Sequence, residues 1–230
     1  MNKKELIIKI SALVANLFIF VSSTVICINA PINGYRFGDL YVPGPDPSYF
    51  QYFTNLSNLY TGIVSLIIFI YLTTHFKEEF RLPKWLRIVE LTGVTSLMLT
   101  FLTVIFFLVP TYVAKGNSFW DMYLYDMFFF HFFNPLVALL TFLFLVKGDI
   151  LNYKEDIFGM IPMMVYAVFY TSFVVTGVWT DFYGFTFGGK FYLLPIVIPV
   201  MLLVTYLIGF LSSLFYNLIN KKNEQKTVSD

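Results

Sequence analysis

Six apolar runs, each about 20 residues long and separated by short polar segments, constrain the fold of this chain more than any other feature. A helix rises ~1.5 Å per residue, so a run of this length matches the ~30 Å hydrocarbon core of a bilayer. Backbone groups in lipid must hydrogen-bond one another, which favours helices. The sequence therefore predicts an all-α, polytopic transmembrane bundle in which residues 1–230 form a single domain. The predicted spans are about Leu6–Ile28, Phe50–Thr73, Ile88–Val109, Met122–Val146, Phe158–Trp179 and Phe191–Phe215.

The composition excludes several classes of function. Charged residues make up only 13% of the chain, against ~25% in soluble domains, so we expect no separate soluble module. A net charge of +1 gives no basis for a nucleic-acid partner. The lone Cys27 allows neither an intramolecular disulfide nor a cysteine-based metal cluster. A P-loop, a dinucleotide-binding glycine motif and a His-Glu-x-x-His motif are all missing from the sequence, which therefore predicts no cofactor and no metal.

The first apolar run has two interpretations. Its basic start at Lys3 and Lys4, its apolar middle and the small residue Ala30 resemble a signal peptide. The apolar part is long for a signal peptide, which favours a retained helix. The following segment, Ala30–Tyr49, is rich in Pro and Gly and predicts a loop.

The distribution of Lys and Arg predicts the orientation. One side of the predicted bundle carries 12 of these residues and the other side carries 3. The basic side contains both chain ends, so the rule predicts that both termini are cytoplasmic, as an even number of spans requires. We expect a multi-pass protein of the cell membrane. The three residues on the opposite side are Arg36, Lys115 and Lys190.

A polar stripe enters the second apolar run. Thr54, Asn58, Thr61 and Ser65 recur at helical spacing, with Ser57 beside them, so they share one helix face. Unpartnered polar groups are costly in hydrocarbon, so this face must meet other parts of the protein. Such residues often serve only as hydrogen-bonding contacts between helices. A packing role and a functional site are both open.

His131 is the single histidine inside an apolar run, and an intramembrane histidine is a functional candidate. It lies nine residues after Met122, roughly 13 Å into the fourth span, at the depth expected for Thr54. Pro135 has no N–H, so the carbonyl of His131 is left free and a kink is expected. Asn134 shares a helix face with His131. The sequence thus predicts one buried pocket between the second and fourth spans.

A hydroxyl beside a buried neutral imidazole suggests acyl transfer. The imidazole removes the hydroxyl proton and so activates the oxygen as a nucleophile. The oxyanion that forms on the ester needs hydrogen-bond donors. The side chains predicted to supply donors and bind substrate are Asn55, Ser57, Asn58 and Asn134.

Phe53-Thr54-Asn55-Leu56-Ser57-Asn58, followed in the fourth span by His131 and Pro135, resembles the androgen-induced membrane hydrolase family and its bacterial six-span relatives. The resemblance implies an intramembrane hydrolase of lipid esters of the fatty-acid-ester type. It implies that Thr54 is the nucleophile and His131 the general base. The expected partners are membrane lipid and a lipid-like substrate.

A second hypothesis is a small multi-pass transporter or lipid-binding protein that uses the same pocket. His131 would then carry a proton or contact a ligand, and Thr54, Asn58 and Asn134 would coordinate the cargo. Prolines within the spans suit the broken helices of transporters. A scaffold for a partner protein is a third possibility. The sequence does not indicate an oligomeric state.

Overall fold

A computed structural model describes residues 3–38, 40–77 and 80–229, with the backbone alone at Phe37 and at 221–229. Six helices are long and apolar enough to cross a membrane, which confirms the predicted fold class. They are α1 (Lys3–Asn33), α2 (Phe53–Thr74), α3 (Lys84–Ala114), α4 (Asp126–Leu145), α5 (Tyr153–Val175) and α6 (Phe191–Asn220). The helix that contains α6 continues to Ser229.

Short elements mark the two ends of the bundle. β1 (Tyr35–Phe37) and β2 (Leu40–Val42) form an antiparallel hairpin between α1 and α2. At the opposite end, β3 (Arg81–Leu82) pairs in parallel with β4 (Lys147–Gly148). We call these the hairpin end and the β3–β4 end. Helices α2 and α4 both begin at the hairpin end and run in the same direction.

The first helix ends later than the sequence predicts. We expected an end near Ile28 because Pro31 follows, but α1 continues through Pro31 to Asn33. Gly34 ends it, with φ of +91° and an N–H that donates to the Ala30 carbonyl at 2.9 Å. A glycine in this left-handed conformation is the usual end of a helix.

The third helix also continues beyond a proline at which the sequence predicts its end. It was expected to end at Val109 but continues through Pro110 to Ala114. A π-helical turn, Val104–Leu108, ends two residues before this proline. The wider turn accommodates a residue that lacks an N–H and whose ring crowds the preceding turn.

Helix α3 is the centre of the packing. It contacts α2, α4, α5 and α6, while α1 packs along α2 and against α4. Two close approaches depend on glycine. A Cβ at Gly62 would lie 2.9 Å from Ser23 Cβ, and one at Gly93 would lie 3.2 Å from Thr61 Cγ2. Small residues therefore set the spacing of α1, α2 and α3.

A buried ion pair ties α3 to α4 and α6. The sequence places Arg87 among the charges that flank the third span, but the structure buries it completely inside α3. Its Nη1 lies 2.5 Å from Glu90 Oε2 and its Nη2 donates to the Phe142 carbonyl at 2.8 Å. The guanidinium carbon lies 3.7 Å from the ring centres of both Phe142 and Tyr216.

The connection between α5 and α6 is organised by Asp181. Its carboxylate accepts hydrogen bonds from the Tyr170 hydroxyl at 2.5 Å, the Thr186 hydroxyl at 2.6 Å and two backbone amides. Burial alone would raise the pKa of this carboxyl, but the hydrogen bonds outweigh it and lower the pKa below its usual value. This loop holds Tyr183 against the start of α2.

Candidate functional site

Thr54 lies in the first turn of α2, where side chains from elsewhere in the fold satisfy the free backbone groups. The Phe53 N–H donates to the Tyr183 hydroxyl at 2.9 Å. The Tyr166 hydroxyl donates to the Gln51 carbonyl at 2.7 Å. Burial raises the pKa of Tyr183 to about 12, so this phenol stays protonated near neutral pH.

A narrow, mostly apolar pocket opens beside Thr54. About 20 Å³ of its space admits the centre of a water-sized sphere. The hydroxyls on its wall come from residues on α2, α3, α5 and the α5–α6 loop. The wall comprises Phe53, Thr54, Leu99, Thr100, Thr103, Val104, Leu108, Met163, Tyr166, Tyr183, Phe185 and Met201.

The predicted stripe on α2 is buried along its whole length, as expected for a face that meets protein. Thr54, Ser57, Asn58, Thr61 and Ser65 are each at most 8% exposed. Ser57 Oγ donates to the Thr54 carbonyl at 3.0 Å and lies 3.1 Å from the hydroxyl of Thr100 on α3. Thr61 Oγ1 donates to the Ser57 carbonyl at 2.8 Å.

Asn58 and Asn134 join three helices. Asn134 Nδ2 donates to Asn58 Oδ1 at 3.0 Å and to Ser23 Oγ at 3.1 Å. Asn134 Oδ1 accepts from Ser22 Oγ at 2.9 Å. The predicted pair of spans is therefore brought together, and α1 is brought in with it. Both side-chain amides bond protein groups on their oxygen and their nitrogen.

The Asn58 amide connects the neighbourhoods of Thr54 and His131. Its Nδ2 donates to the Thr54 carbonyl at 2.9 Å and to the Phe130 carbonyl at 3.4 Å. Phe130 directly precedes His131 in the chain. One amide group therefore bridges the backbones of the two predicted catalytic segments.

His131 is buried, and a backbone carbonyl orients its ring. Nδ1 lies 2.6 Å from the Met122 carbonyl, in the 3-10 turn Phe119–Tyr123 that precedes α4. A carbonyl only accepts, so Nδ1 carries the proton and Nε2 of the neutral ring carries the lone pair. The sequence offered no carboxylate for this orienting role, and Met122 fills it.

Pro135 perturbs α4 as expected, in the form of a π-helical turn. This turn spans Phe129–Phe133 and holds His131, and it ends two residues before the proline. The same arrangement of a π turn and Pro110 occurs in α3. Such turns are frequent at functional sites.

The structure places Thr54 and His131 at the same level without joining them. Each lies about one helical turn closer to the hairpin end than the Asn58–Asn134 contact. No hydrogen bond links the two side chains, both of which are described, and His131 is not on the wall of the Thr54 pocket. Asn55 is also not on the wall of that pocket, and its Nδ2 donates to the Tyr49 carbonyl at 2.6 Å.

Sequence reasoning missed several residues that shape the site. Thr100 belongs to a second polar stripe with Thr92 and Ser96, at the helical spacing already used for α2, so periodicity was a usable signal. Tyr183 gave no local signal, because it reaches the site from a distant loop. Across residues 3–38, 40–77 and 80–229, no group of three or more His, Cys, Asp or Glu side chains is arranged to hold a metal ion.

Comparisons of this chain with protein-family models, curated proteins and solved structures find no match.

Proposed function

We propose that this protein is an integral membrane hydrolase of lipid esters, with Thr54 as the nucleophile and His131 as the general base. The observation that carries the proposal is the Asn58 amide, which bridges the backbone carbonyls of Thr54 and of Phe130 beside His131. A buried imidazole with a fixed Nδ1 proton is a second support, because no hydrogen bond from a described residue occupies its Nε2, which can then accept the threonine proton.

The reaction follows from these groups. His131 Nε2 takes the Thr54 proton as the threonine oxygen attacks the ester carbonyl. The same proton passes to the departing alcohol, and water then hydrolyses the acyl-threonine with His131 again acting as base. Substrate binding must bring the Thr54 hydroxyl and Nε2 within direct or one-water reach, since hydrogen bonds between catalytic groups often tighten only in the complex.

The oxyanion donors differ from those expected at first. The amides of Asn58 and Asn134 are engaged with protein groups, so we assign them to joining the helices and not to binding substrate. The hydroxyls of Thr100 and Tyr183 share the pocket wall with Thr54 and are better placed to receive the developing charge. The apolar remainder of the wall suits an acyl chain.

Labelling with a fluorophosphonate probe tests the nucleophile. We expect purified wild-type protein to be labelled and Thr54→Val to lose the label, because valine keeps the shape but has no hydroxyl. Thr103→Val is the matched control, since Thr103 lines the same pocket and has no assigned role. Full labelling of a folded Thr54→Val protein would contradict the assignment.

Release of fatty acid from lipid esters, measured by mass spectrometry, tests the base. We expect His131→Gln to lower the rate by ~10²–10⁴-fold. His75→Gln is its control, because His75 is the other histidine of the chain and lies at the far end of α2. Equal loss in both variants, or no hydrolysis by wild-type protein, would count against the proposal.

A transporter or lipid-binding protein is the second candidate. The π-helical turns in α3 and α4 favour it, because interrupted helices form the central sites of many transporters. Proton-coupled uptake into liposomes that is abolished in His131→Gln, together with absent ester hydrolysis, would select this function instead.

We also propose that the protein resides in the cell membrane with both termini in the cytoplasm. The Lys and Arg distribution in the sequence supports this orientation. A C-terminal fluorescent-protein fusion should fluoresce in bacterial cells, whereas a C-terminal alkaline phosphatase fusion should be inactive. The reverse pattern would reject the orientation.

A further inference from the structure

A second apolar pocket lies beside the Thr54 pocket, between α5 and α6. Four residues are on the walls of both pockets, so the two spaces adjoin each other: Met163, Tyr166, Phe185 and Met201. The other wall residues of the second pocket all come from α5 and α6. They are Ala167, Tyr170, Thr171, Leu194, Val197 and Ile198. We call this space the α5–α6 pocket.

The α5–α6 pocket is long and narrow. On α5 its wall runs from Met163 to Thr171, which is roughly 12 Å along the helix. On α6 the wall runs in parallel from Leu194 to Met201. Only about 10 Å³ of this length admits the centre of a water-sized sphere. A space of this shape fits one unbranched chain better than a ring system or a polar headgroup.

The two tyrosine hydroxyls of the wall are already used elsewhere. The Tyr166 hydroxyl donates to the Gln51 carbonyl at 2.7 Å, and the Tyr170 hydroxyl donates to the Asp181 carboxylate at 2.5 Å. Each hydroxyl has one proton, so neither is left to donate to an occupant of the pocket. Apart from Thr171, the remaining wall residues have apolar side chains. The pocket therefore suits an apolar occupant.

The α5–α6 pocket reaches the side of the bundle that faces lipid. Val197 and Ile198 on α6 are partly exposed, and both α5 and α6 are long and apolar enough to cross a membrane. Phe185 comes from the loop that joins the two helices at the hairpin end. Its N–H donates to Asp181 at 2.9 Å, which holds this part of the wall in place. An apolar molecule in the bilayer can thus reach the pocket from the side, between the two helices.

We propose that the α5–α6 pocket binds one unbranched acyl chain of the lipid ester, which enters from the bilayer between α5 and α6. This inference rests on the proposed hydrolase function, because the adjoining pocket holds Thr54, the assigned nucleophile. The ester carbonyl lies beside Thr54, and the chain passes Met163 and Met201 into the α5–α6 pocket. Methionine side chains are unbranched and flexible, so these two can change rotamer to admit the chain.

Photo-crosslinking tests the pocket without requiring hydrolysis. Detergent-purified protein is irradiated with palmitic acid that carries a diazirine near its methyl end, and adducts are located by mass spectrometry. We expect adducts on the pocket walls of α5 and α6 that excess unlabelled palmitic acid removes. Val197→Phe should lose them, because the larger ring fills the pocket. Val200→Phe is the matched control and should keep them, since Val200 is 52% exposed and is on neither wall.

A second pair of variants covers the case in which Val197→Phe does not fold. Ala167→Phe fills the same pocket from α5. Its control is Val168→Phe, because Val168 is the next residue, is 66% exposed and lies outside both walls. Competed adducts that persist in the folded pocket variants would overturn the inference, as would adducts that unlabelled palmitic acid does not remove.

The chain-length preference of hydrolysis tests the link to Thr54. The ratio of kcat/KM for p-nitrophenyl decanoate to that for p-nitrophenyl butyrate is measured. Each buried methylene contributes a factor of ~4, so Val197→Phe, which fills the room of two or three, should lower this ratio by roughly 15–60-fold. Val200→Phe should leave the ratio unchanged.

The two assays separate failure of this inference from failure of the hydrolase. Competed adducts on α5 and α6 with no hydrolysis of either ester would support the acyl-chain site and contradict the proposed hydrolase function. Hydrolysis by the wild type with a chain-length ratio that is the same in Val197→Phe and Ala167→Phe would overturn the acyl-chain site and leave the hydrolase function standing.

Discussion

Replacing Arg87 with methionine should destabilise the protein strongly, because it leaves the Glu90 carboxylate buried without a counter-charge. Arg87 is 0% exposed and Glu90 is 4% exposed, so solvent cannot compensate the loss. Breaking such a pair costs ~3–5 kcal/mol. Loss of the stacking on Phe142 and Tyr216 adds ~1–2 kcal/mol. For a chain of this size, the unfolding midpoint should fall by roughly 10–25 °C.

The double variant Arg87→Met with Glu90→Met separates the two contributions. It removes both charges, so it should recover a large part of the stability lost in Arg87→Met. Thermal unfolding of the detergent-purified protein is the measurement. Arg81→Met is the control, since the Arg81–Asp149 pair is 39% and 48% exposed and should contribute less than ~1 kcal/mol. A double variant no more stable than Arg87→Met would refute the reasoning, because the ring stacking and carbonyl contacts would then account for the whole effect.

Three further predictions use the same assay. Gly62→Ala should destabilise the protein by ~1–3 kcal/mol, because the new Cβ would lie 2.9 Å from Ser23 Cβ and push α1 from α2. Gly116→Ala is the comparison without a steric clash: a Cβ there meets nothing within 4 Å, so only the backbone strain at its φ of +86° acts. Asn134→Leu should lower the free energy of unfolding by about 2 kcal/mol, since three hydrogen bonds are lost at ~0.6 kcal/mol each. An unchanged unfolding midpoint would mean that this hydrogen-bond network does not stabilise the protein. The lowered pKa of Asp181 predicts that its stabilising contribution is complete above the ordinary aspartate pKa of ~4 and is lost as the pH falls through the folded-state value. Asp181→Asn should therefore be less stable than wild-type protein at pH 7 and should lose less stability on acidification. Parallel curves of stability against pH for the two proteins would contradict this.

The polar residues show how much of the site can be predicted from the sequence. Helical periodicity correctly placed Thr54, Asn58 and Ser65 on one buried face of α2, because polar groups on a lipid-facing surface are costly. The contact between Asn58 and Asn134 agrees with the predicted meeting of the second and fourth spans. Periodicity did not reveal that Ser22 and Ser23 complete this network, since their partners are more than 100 residues away.

The charged residues predicted less of the packing than the polar residues did. From the sequence, Arg87 is a residue that flanks a span, because a sequence does not show which side chains will pair inside a bundle. The rings of Phe142 and Tyr216, which come from α4 and α6, cover the Arg87 guanidinium. Likewise Pro31 and Pro110 predicted helix ends that Gly34 and a π-helical turn moved further along the chain.

The sequence by itself determined the number of long apolar helices, their approximate bounds and the faces that turn inward. These features are local, since they depend on the length of an apolar run and on the period of a helix. The tertiary structure alone decided which oxygens find hydrogen-bond partners. It placed the His131 ring against the Met122 carbonyl and brought Tyr183 to the start of α2. It left Thr141 Oγ1 without a hydrogen-bond partner among the described residues. Hydrogen-bond partners are chosen within about 3 Å, and only the packing of distant helices brings atoms to that distance.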